Sequence, residues 1–145
     1  MTWTRPVRGS ALVQDGDTLT IAGTRIRLHG VDAPELDQTC LRDGLPWPCG
    51  REAAFALAQR VQGRAVSCRG VETDRFGRLV ALCMVDGESL NRWLVREGWA
   101  VAYRRYTDAY VLDEWIAWWH RRGLWAGSFE PPESWRTRAD REAGG

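Results

Sequence analysis

The sequence predicts an α+β fold in which five short strands close a small barrel and three helices pack around it. Three observations lead there. Short apolar runs alternate with polar residues at the two-residue period of a half-buried strand. Asp-Gly and Ala-Gly pairs punctuate those runs as turn signals. Further along, the apolar period lengthens to that of a helix in three separate segments.

Taken in order, Ala11-Leu12-Val13, Leu19-Thr20-Ile21 and Ile26-Arg27-Leu28 read as antiparallel strands. Asp15-Gly16 and Ala22-Gly23 separate them with residues that tolerate the positive φ of tight hairpins. In the third strand Arg25, Arg27 and His29 alternate with Ile26 and Leu28, so the arginines share one face. Pro34 to Gly50 reads as a long loop. After Gly50 a helix carries Ala54, Leu57, Ala58 and Val61 on the face expected to meet the sheet, and Gly63 is its stop. Residues 64–69 and 79–85 are two further strands joined around Asp74-Arg75-Phe76-Gly77. Ser89 caps a short helix bearing Leu90, Trp93 and Leu94 that ends at Gly98, and residues 100–103 are extended.

The last helix starts near Thr107, with Val111, Trp115, Trp118 and Trp119 as its core stripe and Arg121-Arg122-Gly123 at its end. Residues 131–145 open on Pro131-Pro132 and are otherwise polar and charged, so a flexible C-terminal tail is expected, with Trp135 as its docking residue. Five strands with appended helices are the plan of an OB-fold, a barrel that leaves one face for a ligand. Residues 1–145 read as one such domain. At 145 residues the chain can bury a core without metals or disulfides as a prerequisite.

Composition narrows the function. All twenty basic residues are arginine, against nineteen acids, and the net charge is only +1. No global basic field exists to hold nucleic acid, so phosphate binding would depend on locally focused arginines. No apolar run approaches the ~20 residues of a membrane span, and residues 1–6 lack the apolar region of a signal peptide. His29 and His120 have no second ligand at metal spacing, which disfavours a zinc hydrolase or a histidine nucleophile. There is no G-x-S-x-G.

What remains is a set of acids and arginines. Asp17 follows a turn, Asp32 ends the neighbouring strand, and Pro34 fixes the backbone that sets Glu35 apart from Asp32. Carboxylate oxygens bind a hard cation, arginine grips phosphate with a fixed fork of donors, and a spare carboxylate can activate water. Each group alone has a plain reading: Asp15-Gly16-Asp17 as a turn, Arg27 and Arg78 as solvated strand-end charges. Only their convergence would make a phosphodiester site. Tyr103 and Tyr106, interleaved with Arg104-Arg105, are candidates to contact a base or phosphate.

Cys40, Cys49, Cys68 and Cys83 show no zinc spacing. Cys40 and Cys49 bracket a short loop, and Cys68 and Cys83 lie symmetrically about the turn near Arg75-Phe76, so two disulfides are expected. Such bonds favour a secreted or periplasmic protein over a cytosolic one.

Together these residues resemble the thermonuclease family of the micrococcal-nuclease type. The resemblance rests on Asp15-Gly16-Asp17-Thr18, Arg27 followed by Val31-Asp32-Ala33-Pro34-Glu35, Asp74-Arg75-Phe76-Gly77-Arg78, and Leu94-Val95-Arg96-Glu97-Gly98 leading to Ala102-Tyr103. It covers roughly residues 9 to 126. It implies a calcium-dependent nuclease acting on DNA and RNA, single strands favoured, that cleaves the bond to the 5′ oxygen and leaves 3′-phosphates. Asp17, Asp32 and the Ala33 carbonyl would hold Ca²⁺. Arg27 and Arg78 would bind the phosphate, Glu35 would orient or deprotonate water, and Arg75 and Tyr103 would contact nucleotide. Two positions depart from the pattern: Ala33 stands where threonine is frequent, and Phe76 where tyrosine is. A monomer is expected. The alternative is a non-catalytic OB module that binds single strands, and a weaker third is a structural barrel whose acids only make turns.

Overall fold

The computed structural model describes residues 5–144. Its main sheet runs in the order β1 (Val7–Gly9), β8 (Val66–Thr73), β9 (Leu79–Val85), β4 (Thr24–Leu28), β3 (Thr18–Ile21), β2 (Ala11–Asp15). β1 and β2 lie at opposite ends of that order, yet only Ser10 separates them in the chain. The sheet must therefore curl until its edges adjoin, which makes it a barrel. The α+β class and the OB plan hold, but among the described residues the main sheet has seven strands rather than five, and there are four α-helices rather than three.

Alternate residues of the strands fill the interior. Leu19, Ile21, Ile26, Leu28, Val66 and Val85 are all at most 1% exposed. One end is closed by α1 (Cys49–Val61), which buries Cys49, Ala53, Leu57 and Val61 at four-residue intervals. The face expected from Ala54 and Ala58 is thus rotated by about one residue. α2 (Leu90–Arg96) is capped as predicted: Ser89 Oγ accepts from the Arg92 amide at 3.1 Å. Its Asn91, fully buried, donates Nδ2 to the carbonyls of His29 (2.9 Å) and Ala81 (3.1 Å) and accepts from the Cys83 amide (3.0 Å), tying α2 to β9 and to the end of β4.

Several segments differ from expectation. The loop from Pro34 to Gly50 contains a hairpin, β6 (Cys40–Arg42) and β7 (Leu45–Trp47), turning at Asp43-Gly44 with φ of 53° and 79°. Three-residue strands, one with a proline, are too short for a period-2 signal. Smaller pairings join β5 (Val31–Asp32) to β11 (Val101–Ala102), and β10 (Glu88–Ser89) to β9.

α3 (Val111–Trp119) begins later than Thr107 and faces the other way. Asp113 and Ala117 are buried, whereas Trp115, Trp118 and Trp119 are 62%, 54% and 74% exposed. The reason is electrostatic: Asp113 accepts from Arg92 (2.5 Å) and Arg96 (3.2 Å) of α2, and that docking turns the tryptophans outward. Trp93 is half-buried against the core, and Trp125, in a 3₁₀ turn at Gly123–Ala126, meets Phe129 edge-on at 4.9 Å.

The expected flexible tail is instead a helix, α4 (Pro132–Gly144). Pro132 in its first turn, Glu133 beside it and Arg141 near its end are helix-favouring placements. Trp135 is only partly buried; its ring lies 4.7 Å from the Arg138 guanidinium.

Both expected disulfides are present, Cys40–Cys49 and Cys68–Cys83. The second joins residues directly opposite in the β8–β9 ladder. No helix among the described residues is long and apolar enough to cross a membrane.

Candidate active site

Sheet register brings the acids and arginines together. Thr18 pairs with Arg27, so Asp17, at the tip of the β2–β3 turn, falls beside the end of β4. Gly16 is needed here for closeness: a Cβ on it would lie 2.7 Å from the Ala33 Cβ. β4 then pairs parallel to β9, with Ile26 opposite Leu79 and Arg27 opposite Val80, and this draws the Asp74–Arg78 turn to the same edge. Asp32 sits opposite Val101 in the β5–β11 pair, and the Tyr103 amide donates to the Gly30 carbonyl at 2.9 Å. Asp17, Arg27, Glu35, Arg75, Arg78, Tyr103 and Tyr106 line one cavity of about 710 Å³.

Three carboxylates alternate with two guanidiniums. Arg27 Nη1 lies 3.2 Å from Asp17 Oδ2, and its Nη2 lies 3.4 Å from Asp32 Oδ1. Arg136, from α4, continues the series: Nη1 donates to Asp32 Oδ1 (2.9 Å) and Glu35 Oε1 (2.8 Å), and Nη2 to Asp32 Oδ2 (3.1 Å). Arg27 Nη1 also donates to the carbonyls of Leu28 and Val31, both at 2.9 Å. Arg27 is therefore a strut that fixes the strand ends as well as a cation. Asp17 is fixed from the other side by the Ala33 amide (2.8 Å) and the Thr18 hydroxyl (3.2 Å).

Crowding acids below the surface shifts their titration. Burial, reinforced by the charge of Asp17, raises the Asp32 pKa to about 6 against the pull of Arg136 and Arg27. Asp15 is raised to about 7 by burial and then by the neighbouring Asp17. Burial opposes the Arg136 charge, but the hydrogen bonds it donates to Asp32 and Glu35 outweigh that and hold the guanidinium protonated.

Besides the Arg136 contact to its carboxylate, Glu35 is held through its backbone. Its amide donates to Gln38 Oε1 (3.2 Å), and its carbonyl accepts from the Gln38 amide (2.8 Å). Gln38, 1% exposed, also donates Nε2 to the Glu130 carbonyl (2.7 Å). Arg78 is aimed by Asp74, whose carboxylate accepts from the Arg78 amide (2.9 Å), Arg78 Nε (2.8 Å) and the Phe76 amide (2.9 Å). Burial would raise the Asp74 pKa, but these bonds, with the Arg78 charge, lower it below the usual carboxylate value. Arg75 and Arg78 both lie against the Phe76 ring, at 4.8 and 5.4 Å from its centroid. Tyr103 and Tyr106 tilt together at 4.9 Å.

A hard divalent cation fits this donor set. Asp17 and Asp32 offer buried carboxylate oxygens whose mutual repulsion a cation relieves, and Ala33 is fixed beside Asp17 by its amide. Among the described residues no group of three or more His, Cys, Asp or Glu is arranged to hold a metal, so water and substrate would complete the shell.

Asp17, Arg27, Glu35, Arg75, Arg78, Tyr103 and Tyr106 meet at this edge as expected, whereas Asp32 and Ala33 are buried and do not line the cavity; Arg136, Gln38 and the part played by Asp74 were not anticipated. Arg136 lies 101 residues beyond Glu35, and no local pattern connects them; the one available signal was the proline-led helix start before it.

The sequence matches the family described as "Staphylococcal nuclease homologue" over residues 25–127. It is 46% identical over 99 residues to the "Succinoglycan biosynthesis protein ExoI" of Rhizobium meliloti, covering 66% of this chain and 52% of that protein. It is 34% identical over 131 residues to the "Probable staphylococcal-like nuclease CAN1" of Oryza sativa, covering 89% of this chain and 37% of the relative. An "Uncharacterized endonuclease" of Escherichia coli is 33% identical over 134 residues, 87% of this chain and 82% of its own length. The chain thus spans about half of the first relative and just over a third of the second.

Proposed function

Since this chain belongs to the staphylococcal nuclease homologue family, we propose that it is a calcium-dependent nuclease that hydrolyses the phosphodiester bonds of DNA and RNA. The observation that carries this reading is the series Asp17–Arg27–Asp32–Arg136–Glu35, whose members other than the buried Asp32 line one cavity with Arg78. A binding module needs the arginines but gains nothing from acids buried beside them.

Asp17, Asp32 and the Ala33 carbonyl would hold Ca²⁺, which when bound supplies positive charge and orients water and phosphate. Arg78, aimed by Asp74, and Arg27 grip the phosphate and offset the charge gathered in the five-coordinate transition state. Glu35 takes the proton of the attacking water as its oxygen bonds to phosphorus. The bond from phosphorus to the 5′ oxygen breaks in line, that oxygen leaves and takes a proton from solvent water, and the 3′-phosphate stays with the other fragment. Tyr103 and Tyr106 offer aromatic faces in the cavity that Arg75 also lines. This arrangement and the near-zero net charge favour a single strand over a duplex.

The chain is read as working as a monomer. Two disulfides support a secreted or periplasmic setting. The reading is tested by incubating a labelled single-stranded oligonucleotide with Ca²⁺ or with chelator and analysing the fragment ends. Calcium-dependent fragments bearing 3′-phosphates support it. Retained binding without cleavage under any divalent ion makes the chain a binding module.

A further inference from the structure

α4 buries a single residue, Pro132. From Glu133 onward its residues are half-buried or exposed, so apolar burial contributes little to docking the helix on the barrel. Polar contacts do that instead. Glu133 pairs with Arg105 at 2.9 Å, but both side chains are largely exposed, and such a pair contributes little. The contacts made in a desolvated setting are those of Arg136, whose partner Asp32 has a side chain only 3% exposed.

Arg136 engages both oxygens of Asp32 and one of Glu35. Asp32 is also an acid whose oxygens suit a divalent cation. A carboxylate caught in a guanidinium fork has its lone pairs directed at nitrogen, and a second cation on it would face the Arg136 charge at close range.

We propose that Arg136 is a tethered cation that competes with the divalent ion for Asp32, so that ion binding and the docking of α4 oppose each other. This deepens the reading of the site given above and rests on Asp32 serving as an ion ligand. The coupling is reciprocal: whatever factor the Arg136 contact takes from ion affinity, the bound ion takes from the contact. Glu133, Arg136, Thr137 and Asp140 form one wall of the cavity, so loosening α4 widens it for a polynucleotide. Arg136, once off Asp32, remains within reach of the phosphate as a third guanidinium. The ion thus clears the substrate's path, and without it the helix keeps Glu35 neutralised.

The test titrates Ca²⁺ alone into the full chain and follows amide NMR shifts at Asp17, Asp32 and Ala33, with hydrogen exchange of the α4 amides measured alongside. Arg136→Gln should bind Ca²⁺ about tenfold more tightly than the natural chain, the factor expected of a charge-assisted contact removed. Arg136→Lys keeps the charge and should bind within about threefold of the natural chain, which separates charge from side-chain loss. Arg138→Gln changes the same helix where it pairs with Glu130 and Glu142, and should leave the affinity unaltered.

In the natural chain Ca²⁺ should speed exchange across α4, and in Arg136→Gln exchange should already be fast and indifferent to Ca²⁺. Equal or weaker Ca²⁺ binding by Arg136→Gln overturns the proposal, as does α4 exchange that Ca²⁺ leaves unchanged in the natural chain. No calcium response at Asp32 in Arg136→Gln also overturns it, because removing the competitor must expose the ligand. Cleavage is scored separately. A tenfold gain in affinity without cleavage refutes the nuclease reading alone, and cleavage without the gain refutes the competition alone.

Discussion

Gly50, in the first turn of α1, lies so close beneath Glu35 that a Cβ on it would come within 1.8 Å of the Glu35 carbonyl oxygen. The Gly50 amide also donates to the Gln38 carbonyl at 3.1 Å, so the helix start is the seat on which the Glu35 loop rests. Gly50→Ala must push that loop outward. A misplacement of about 1 Å at a reacting group can cost on the order of a hundredfold in rate, and a loss of at least about tenfold is expected. Turnover of an oligonucleotide at saturating Ca²⁺, with folding checked by circular dichroism, reads it; an unimpaired Gly50→Ala enzyme would show that the loop position is not critical.

Arg27 compensates Asp17 and Asp32 in the absence of an ion. Arg27→Gln should therefore destabilise the ion-free protein by about 2–3 kcal/mol, the range for stranding partly buried charges. Saturating Ca²⁺ should recover part of that loss by binding only the folded acids. Urea unfolding with and without Ca²⁺ measures both; a loss below about 0.5 kcal/mol would reduce Arg27 to a surface pair.

Asp15 and Asp32 have folded-state pKa values of about 7 and about 6 because burial disfavours their charge. Raised folded values mean that the native state holds more protons than the unfolded chain between about pH 4 and 7. Their contribution is therefore full below the unfolded pKa and lost as pH rises through the folded values. Asp15→Asn removes one of the two groups, so its stability relative to the natural chain should climb steadily from pH 4 to 7. Denaturant midpoints of the two proteins, compared in chelator across that range, decide it, and a constant difference would contradict the burial effect.

The two disulfides should separate in their effects. Cys68–Cys83 closes a span of 15 residues in the barrel wall, and its replacement by alanines should cost about 2–4 kcal/mol with turnover of the folded fraction little changed. Cys40–Cys49 anchors the segment that carries Gln38 behind Glu35, so its loss should lower turnover more than stability. Melting curves beside rates for each double variant show whether the effects divide this way or fall together.

Ca²⁺ should bind weakly without nucleic acid, since protein oxygens supply only part of a shell of about six to eight. Mg²⁺, with its strict octahedral demand, should bind yet fail to support turnover. Rates in the two metals at matched concentration test this, and equal rates would refute it.

The longer strands, the turns between them and the acid and arginine positions were legible because each follows from a local period or a turn residue, whereas strands of two or three residues such as β1 and β10 carry no period to read. Asp17, Arg27 and Asp32 lie within sixteen residues, and adjacent strands bring them together. Ser89 was legible as a cap for the same reason. The orientation of α3 was not, because its tryptophans suit a buried stripe equally well, and long-range contacts of its acids, Asp113 with Arg92 and Arg96 and Glu114 with the Ala102 amide and Arg104, go with the opposite face. Nor was Arg136: its partners lie about a hundred residues away, and charge alone cannot say which acid an arginine will meet.

The most direct test of the account is the single-turnover cleavage rate of Glu35→Gln at saturating Ca²⁺, with oligonucleotide affinity measured on the same protein. If Glu35 takes the proton from water, the rate should fall by about 10²–10⁴ while the oligonucleotide still binds. A rate within about threefold of the natural chain, in a folded protein that binds normally, would contradict the assignment of Glu35 as the base.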